Sequence, residues 1–190
     1  SVRKVLQMPP FSQMVILLSF AICSTLGLFS MLPLYLTAEH GMENEAANTF
    51  VAFSRISSVF MPLAGGWLGD RIGNGKMLRY VLLLAGLLTI PLGVLHGIPL
   101  LVFVVLQPMV AVCFFPSAFA VLSRLGGKEV RGAAVSLCVP LAFLIGGGLL
   151  PMCIGFIGDY QSLAVGYLGI GMFTALVAVT VGNGKQLLSY

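Results

Sequence analysis

Residues 46–79 read AANTFVAFSRISSVFMPLAGGWLGDRIGNGKMLR, an apolar stretch followed at once by a short basic loop. A helix needs about 20 mainly apolar residues to cross the hydrocarbon core of a bilayer. Residues 46–68 meet that length, and the loop behind them carries Arg71, Lys76 and Arg79. This segment therefore predicts one membrane crossing that ends in a basic surface loop.

The rest of the chain repeats this pattern of an apolar stretch and a short polar loop. Of its 190 residues 58% are hydrophobic and 8% are charged, against about 25% charged residues in soluble domains. Backbone polar groups within lipid must be satisfied inside the segment, and the alternating pattern of barrel strands is absent, so we expect an all-α membrane protein. We predict one six-helix bundle over residues 1–190, with spans at 12–36, 46–68, 77–95, 99–122, 131–157 and 163–181.

The charged loops predict the orientation of the bundle. Basic residues follow the second and fourth spans and occupy both termini: Arg3, Lys4, Arg71, Lys76, Arg79, Arg124, Lys128, Arg131 and Lys185. The opposite loops contain no Lys or Arg and hold Glu39, His40, Glu43, Glu45, His96 and Asp159. Because loops rich in Lys and Arg stay in the cytoplasm, we expect both termini to be cytoplasmic.

Other features limit the classes of function. The net charge of +4 comes from short clusters beside apolar stretches, which fits an anionic membrane surface and not nucleic acid. The four cysteines, Cys23, Cys113, Cys138 and Cys153, lie in apolar stretches without a C-x-x-C pair. We therefore expect small buried thiols, with no disulfide framework, metal site or cofactor. The two loop histidines are expected to be solvated.

Arg55 is the one basic residue that topology does not explain. It lies about nine residues into the second span, roughly 13 Å from the span's outer end. An arginine at a helix centre costs about 2.5–3.5 kcal/mol on insertion scales, so it needs a compensating group. Two interpretations stay open: Arg55 binds an anionic substrate in a hydrated cavity, or it pairs with a carboxylate of another half or with helix carbonyls. No Asp or Glu lies at a comparable depth, so a proton-coupling group is expected outside this chain.

The loop at residues 66–76, GWLGDRIGNGK, resembles the G-x-L-x-D-R-x-G-[RK]-[RK] signature of the major facilitator superfamily. In that family the signature lies on the cytoplasmic side, between the second and third helices of each six-helix half. The sequence departs from it at Asn74 and Gly75, where basic residues are usual. By resemblance, six residues of the loop act in the conformational change and do not bind substrate: Gly66, Gly69, Asp70, Arg71, Gly73 and Lys76.

The resemblance also implies what this chain pairs with. Residues 1–11 look like the end of a central loop leading into a seventh helix, and the chain begins at Ser1, so we expect the C-terminal half of a longer transporter or a fragment of one. Its partner would be a missing N-terminal half or a second copy. In the family the substrate binds between halves near the midplane. Candidate substrate contacts, chosen by polarity and depth, are Ser24, Phe29, Arg55, Ser58, Gln107 and Phe115.

The resemblance implies transport by alternating access, as an antiporter or symporter, in a bacterial inner membrane or an equivalent plasma membrane. Arg55 makes a small organic anion the first substrate class, and efflux of hydrophobic compounds is the alternative within the same class of protein. An intramembrane enzyme would need a nucleophile–base pair in a span, and no span contains histidine. A channel would need a filter loop, which the sequence does not show.

Overall fold

The helices follow the predicted apolar stretches closely. The computed structural model describes residues 8–56, 58–125 and 127–181, with side chains from residue 132 onward in the last range. Arg3, Lys4 and Lys185 lie outside the described residues, as do the side chains of Lys128 and Arg131. The helices, in order, are α1 Pro9–Ile22, α2 Leu28–Ala38, α3 Asn44–Ile56, α4 Met61–Ile72, α5 Asn74–Thr89, α6 Gly97–Ala111, α7 Phe114–Leu122, α8 Gly127–Phe143, α9 Leu150–Tyr160 and α10 Leu163–Thr180.

Short turns of other helical types join several of these elements. A π-helical turn, Cys23–Gly27, links α1 to α2, and a second, Leu144–Leu149, links α8 to α9. A 3₁₀ turn, Ile90–Gly93, extends α5. Within the described residues, five continuous helical segments are long and apolar enough to cross a membrane: Pro9–Ala38, Asn74–Gly93, Gly97–Leu122, Gly132–Tyr160 and Leu163–Thr180. These correspond to five of the six predicted spans.

The remaining predicted span, residues 46–68, is not one continuous helix. It consists of two helices, α3 and α4, separated by non-helical residues at 58–60. Pro62 has no N–H to donate to the Ser58 carbonyl, and its ring would clash with that carbonyl in a continuous helix. The chain closes α3 with a tighter turn, in which the Ser58 amide donates to the Arg55 carbonyl at 3.0 Å. The break therefore lies directly beside Arg55.

Helices α5 and α10 cross in direct backbone contact. A Cβ on Gly86 would lie 2.6 Å from the Ala175 nitrogen, and a Cβ on Gly171 would lie 2.9 Å from the Ile90 nitrogen. Real side chains essentially never approach a backbone atom so closely, so only glycine permits this crossing. The pair is joined to α2 through Tyr167, whose buried hydroxyl donates to the Leu28 carbonyl at 2.8 Å.

The two π-helical turns contact each other. A Cβ on Gly27 would lie 2.7 Å from the Pro151 ring and 3.1 Å from the Gly146 carbonyl oxygen. Gly146 in turn packs directly on the Ser19 carbonyl. Small residues thus bring the first and fifth spans together at their centres.

Charge divides the bundle into two ends. We call the end that holds Glu39, His40 and His96 the acidic end, and the end that holds Arg71 and Arg124 the basic end. The bulky stripe of α3 and α4, formed by Phe53, Ile56, Phe60, Leu63 and Trp67, is 56–74% exposed on the bundle surface. Cys23, Cys113 and Cys138 are buried as expected, whereas Cys153 is exposed, and all four are free thiols.

Candidate functional site

Two cavities meet at Arg55. The first, of about 310 Å³, is bounded by α2, α6 and the α3–α4 break; the second, of about 640 Å³, lies between α2, α3 and the second π-helical turn. Leu26, Phe29 and Arg55 line both of them. Arg55 therefore stands where the two spaces join, and a solute in either one would lie beside its guanidinium.

Arg55 occupies the last turn of α3, where the helix ends at the break. Its Cζ atom lies 4.6 Å from the centre of the Phe29 ring, within the range of a cation–π interaction. Within residues 8–56, 58–125 and 132–181, the guanidinium makes no ion pair and no hydrogen bond. A guanidinium has five N–H donors, and Phe29 uses none of them in hydrogen bonding. The positive charge is held in place by the ring but is not neutralised by it.

The first cavity is largely apolar, with a few polar groups near Arg55. Its walls include Val112 and Phe115. Ser58 also lines it, and the Ser58 hydroxyl is buried without a hydrogen-bond partner among the described residues. A buried hydroxyl without a partner costs free energy that a ligand atom could recover. The structure thus brings four predicted contacts, Phe29, Arg55, Ser58 and Phe115, to one cavity.

The other two predicted contacts lie in the packed interior. Gln107 is buried, and its Nε2 donates to the Ser24 carbonyl at 2.9 Å and to the Thr89 hydroxyl at 3.3 Å. Neither Ser24 nor Gln107 lines the two cavities. In this position Gln107 connects the first, third and fourth spans, and the carbonyl that it binds belongs to the first π-helical turn.

The cavities also contain polar residues that sequence reasoning missed. Asn48 and Ser30 line the second cavity with Arg55, and Thr25 lines the first. Asn48 stands two helical turns before Arg55, so the same face of α3 carries both side chains. That spacing was visible in the sequence. Thr25 and Ser30 belong to the same predicted span as Ser24, and polarity alone does not show which of these hydroxyl residues face a cavity.

The loop with the conformational signature has the backbone that its glycines predict. Gly73 ends α4 and begins α5 with φ +95°, a conformation that L side chains rarely adopt. Gly69 packs on Ser117 and Asn74, and a Cβ there would lie 2.8 Å from Asn74 Oδ1. No side-chain hydrogen bond caps α5 at Gly73.

The charged residues of this loop face outward. Arg71 places its Cζ atom 4.0 Å from the centre of the Trp67 ring. Asp70 and Lys76 are exposed, as is Gly66 in part. The loop therefore presents its charges at the basic end, away from the two cavities.

Comparison with known families agrees with this architecture. The sequence model of the Major Facilitator Superfamily matches residues 3–182. No individual curated protein matches the chain significantly. The matched range contains every described helix, both cavities and the loop with the conformational signature.

Proposed function

The chain belongs to the Major Facilitator Superfamily and is a multi-pass membrane protein that transports a small solute, and from this premise we propose that the solute is an organic anion bound by Arg55. The observation that supports the anion is the unneutralised guanidinium at the junction of two cavities. The Arg55 side chain is exposed, so its N–H donors are accessible, and an anionic ligand would accept charge-assisted hydrogen bonds from them.

The shape and lining of the first cavity narrow the ligand class. A volume of about 310 Å³ suits a small molecule, and its apolar walls suit an apolar body beside the charge. Phe29 holds the Arg55 side chain by one face, which leaves the N–H edge for a carboxylate. We therefore propose a small amphipathic carboxylate whose anionic group contacts Arg55 and whose body contacts Phe115.

We further propose how the cavity sits in the membrane. α3 and α4 together would form a sixth crossing, with the basic end in the cytoplasm as the charge of the loops indicates. A second six-helix half, either an N-terminal half or another copy of the chain, would close the exposed side of the cavities. Exposed cavity residues such as Leu26 and Val59 support this proposal. Alternating access would then move the solute past Arg55, with the loop from Gly66 to Lys76 acting in the conformational change.

Efflux of hydrophobic compounds is the second candidate, and the apolar lining of the first cavity favours it. The two candidates differ in what Arg55 contributes. For an organic anion, Arg55 supplies binding free energy directly. For a neutral hydrophobic compound, the guanidinium is only part of the wall, so its removal changes binding little.

The test is binding of an aromatic carboxylate and of its neutral amide to the purified protein, followed by uptake into proteoliposomes. Hydrogen bonds to charged groups contribute about 1.5–3 kcal/mol, so Arg55→Gln should weaken carboxylate binding by about tenfold or more. Arg124→Gln, a change of the same kind at an exposed residue of the basic end, is the matched control and should leave the affinity unchanged. Arg55→Lys should recover part of the loss, because it keeps the charge without the planar fork.

Two results would contradict the proposal. Equal affinity for the carboxylate and the amide in the unaltered protein would favour hydrophobic efflux. Unchanged carboxylate affinity in Arg55→Gln, combined with a large loss of thermal stability, would assign Arg55 to pairing with another part of the transporter.

A further inference from the structure

The acidic end contains a cluster of side chains that do not line the two cavities at Arg55. The Glu39 carboxylate accepts hydrogen bonds from the Leu163 and Ala164 amides, and so caps the N-terminus of α10. The Tyr35 hydroxyl donates to the Leu92 carbonyl at 2.6 Å. These bonds connect the loop after α2 to α10 and to the 3₁₀ turn after α5, which makes this corner of the bundle well defined.

The two histidines expected to be solvated meet at this corner. The ring centres of His40 and His96 are 5.2 Å apart, and His40 packs its ring edge-on against Tyr35 at 4.7 Å. Both histidines line a cavity of about 290 Å³ with Glu39 and Met42. Burial, and to a smaller degree the neighbouring His96, lowers the pKa of His40, while Glu39 opposes this change. His40 is thus partly enclosed, and the expectation of a solvated side chain is corrected for it.

We propose that His40 and His96 form a binding site for one divalent transition-metal ion of the Zn²⁺ class. In a tetrahedral complex each imidazole nitrogen lies about 2.0–2.1 Å from the ion. The ring centre lies about 1.2 Å beyond that nitrogen. At the tetrahedral angle, two rings bound to one ion therefore have centres about 5.2 Å apart. The observed separation equals this value, and the 71° inclination of the rings is compatible because each ring can rotate about its bond to the ion.

The hydrogen bonding of the two rings supports the same site. His96 Nδ1 lies 3.1 Å from the Val94 carbonyl oxygen, which can only accept, so this nitrogen carries the proton. The lone pair of His96 is therefore on Nε2, as in metal-binding imidazoles whose other nitrogen donates to a backbone carbonyl. His40 Nε2 is buried without a hydrogen-bond partner among the described residues. A metal ion bound to both Nε2 atoms would give the buried His40 Nε2 a partner.

The number of ligands sets the expected ion and affinity. In the part of the chain that the structure describes, no three His, Cys, Asp or Glu side chains are grouped to hold a metal ion. The protein thus supplies two imidazoles, and water completes the shell, which gives weaker binding than a closed structural site. Imidazole ligands favour Zn²⁺, Ni²⁺ or Cu²⁺ over Mg²⁺ or Ca²⁺. Because the site joins the loop after α2 to the start of α6, a bound ion would hold the ends of two spans together.

The test is titration of Zn²⁺, with Mg²⁺ as the hard-ion comparison, into the purified protein without an oligohistidine tag. Cys153→Ser removes the exposed thiol and is the background for every variant. We expect one Zn²⁺ per chain, no comparable binding of Mg²⁺, and affinity at least about tenfold lower in His40→Ala and in His96→Ala. Asp159→Asn, an exposed carboxylate of the same end, is the matched control and should bind Zn²⁺ normally.

A rescue variant separates a ligand from a packing role. His96→Cys replaces one zinc ligand by another and should recover binding that His96→Ala loses. Because His96 is exposed, its variants should fold even if changes at the partly buried His40 do not. Equal Zn²⁺ affinity in the background protein and in His96→Ala would overturn the proposal, as would Mg²⁺ binding as strong as that of Zn²⁺.

Discussion

The α5–α10 pair and the α3–α4 segment differ in how far each can change shape. In the first, the backbones at Gly86 and Gly171 touch, and no larger side chain fits between them. In the second, the helix is interrupted beside Arg55, and Val59 and Phe60 at the break are 63% and 74% exposed. Direct backbone contact fixes one crossing geometry, whereas a segment with few buried contacts opens at low cost.

This difference assigns the two regions distinct physical roles. The α5–α10 pair is a scaffold whose stability does not depend on a ligand. The α3–α4 segment carries the unneutralised Arg55 and the unpartnered Ser58 hydroxyl, so we expect its favoured arrangement to depend on what enters the cavity. A ligand shifts a conformational equilibrium only through different interactions with the two states, and the groups available for that lie in the broken segment.

The largest expected effect comes from breaking the scaffold. Gly171→Val places a branched side chain against the backbone of Ile90 and Gly86, where neither neighbour can move aside. Overpacking of this kind costs typically 1–3 kcal/mol and occasionally more, and we expect about 3 kcal/mol here. Thermal unfolding of the purified protein measures the loss.

Gly169→Val is the matched control for that change, because it lies on the same helix and a Cβ there meets no atom within 4 Å. It should lower stability only by the smaller intrinsic preferences of the helix. Equal destabilisation by the two variants would show that the α5–α10 crossing is not the tightly fixed element described above.

The same comparison explains what could be predicted from sequence. Hydropathy and length located five continuous spans, since crossing a bilayer demands a long apolar helix whatever its neighbours are. They did not reveal the break, because residues 46–68 are mainly apolar on both sides of Pro62. The clash of the proline ring with the Ser58 carbonyl changes neither the hydropathy nor the length of the segment. Hydropathy and length likewise do not show which way the Gln107 side chain points. A polar residue in a helix that is apolar all round can face a cavity or a neighbouring helix, and only the packing decides.

An intermediate effect on stability is expected at Gln107, which links Thr89 of α5 to Ser24 of the first π-helical turn. Gln107→Leu removes the donor that satisfies the Ser24 carbonyl, and a buried acceptor without a partner costs about 1–3 kcal/mol. Because Gln107 lies outside both cavities, carboxylate affinity should stay near its normal value in the folded fraction. Thermal unfolding and ligand binding, measured on the same sample, separate the effect on stability from the effect on carboxylate affinity. A large loss of affinity with normal stability would instead make Gln107 a substrate contact.

The smallest effect on stability, and the sharpest test of the broken segment, is expected for Pro62→Ala. Replacing a proline that suits its backbone changes stability by about 0.4–1 kcal/mol, mainly through the unfolded chain. The new N–H can donate to the Ser58 carbonyl, so α3 and α4 can join into one straight helix. We expect carboxylate binding to persist and proteoliposome uptake to slow several-fold, because the segment would lose the point at which it bends.

Pro99→Ala, in the first turn of α6, changes a proline that interrupts no helix and should leave uptake unchanged. Uptake at the normal rate in Pro62→Ala would mean that the break beside Arg55 serves packing and not movement.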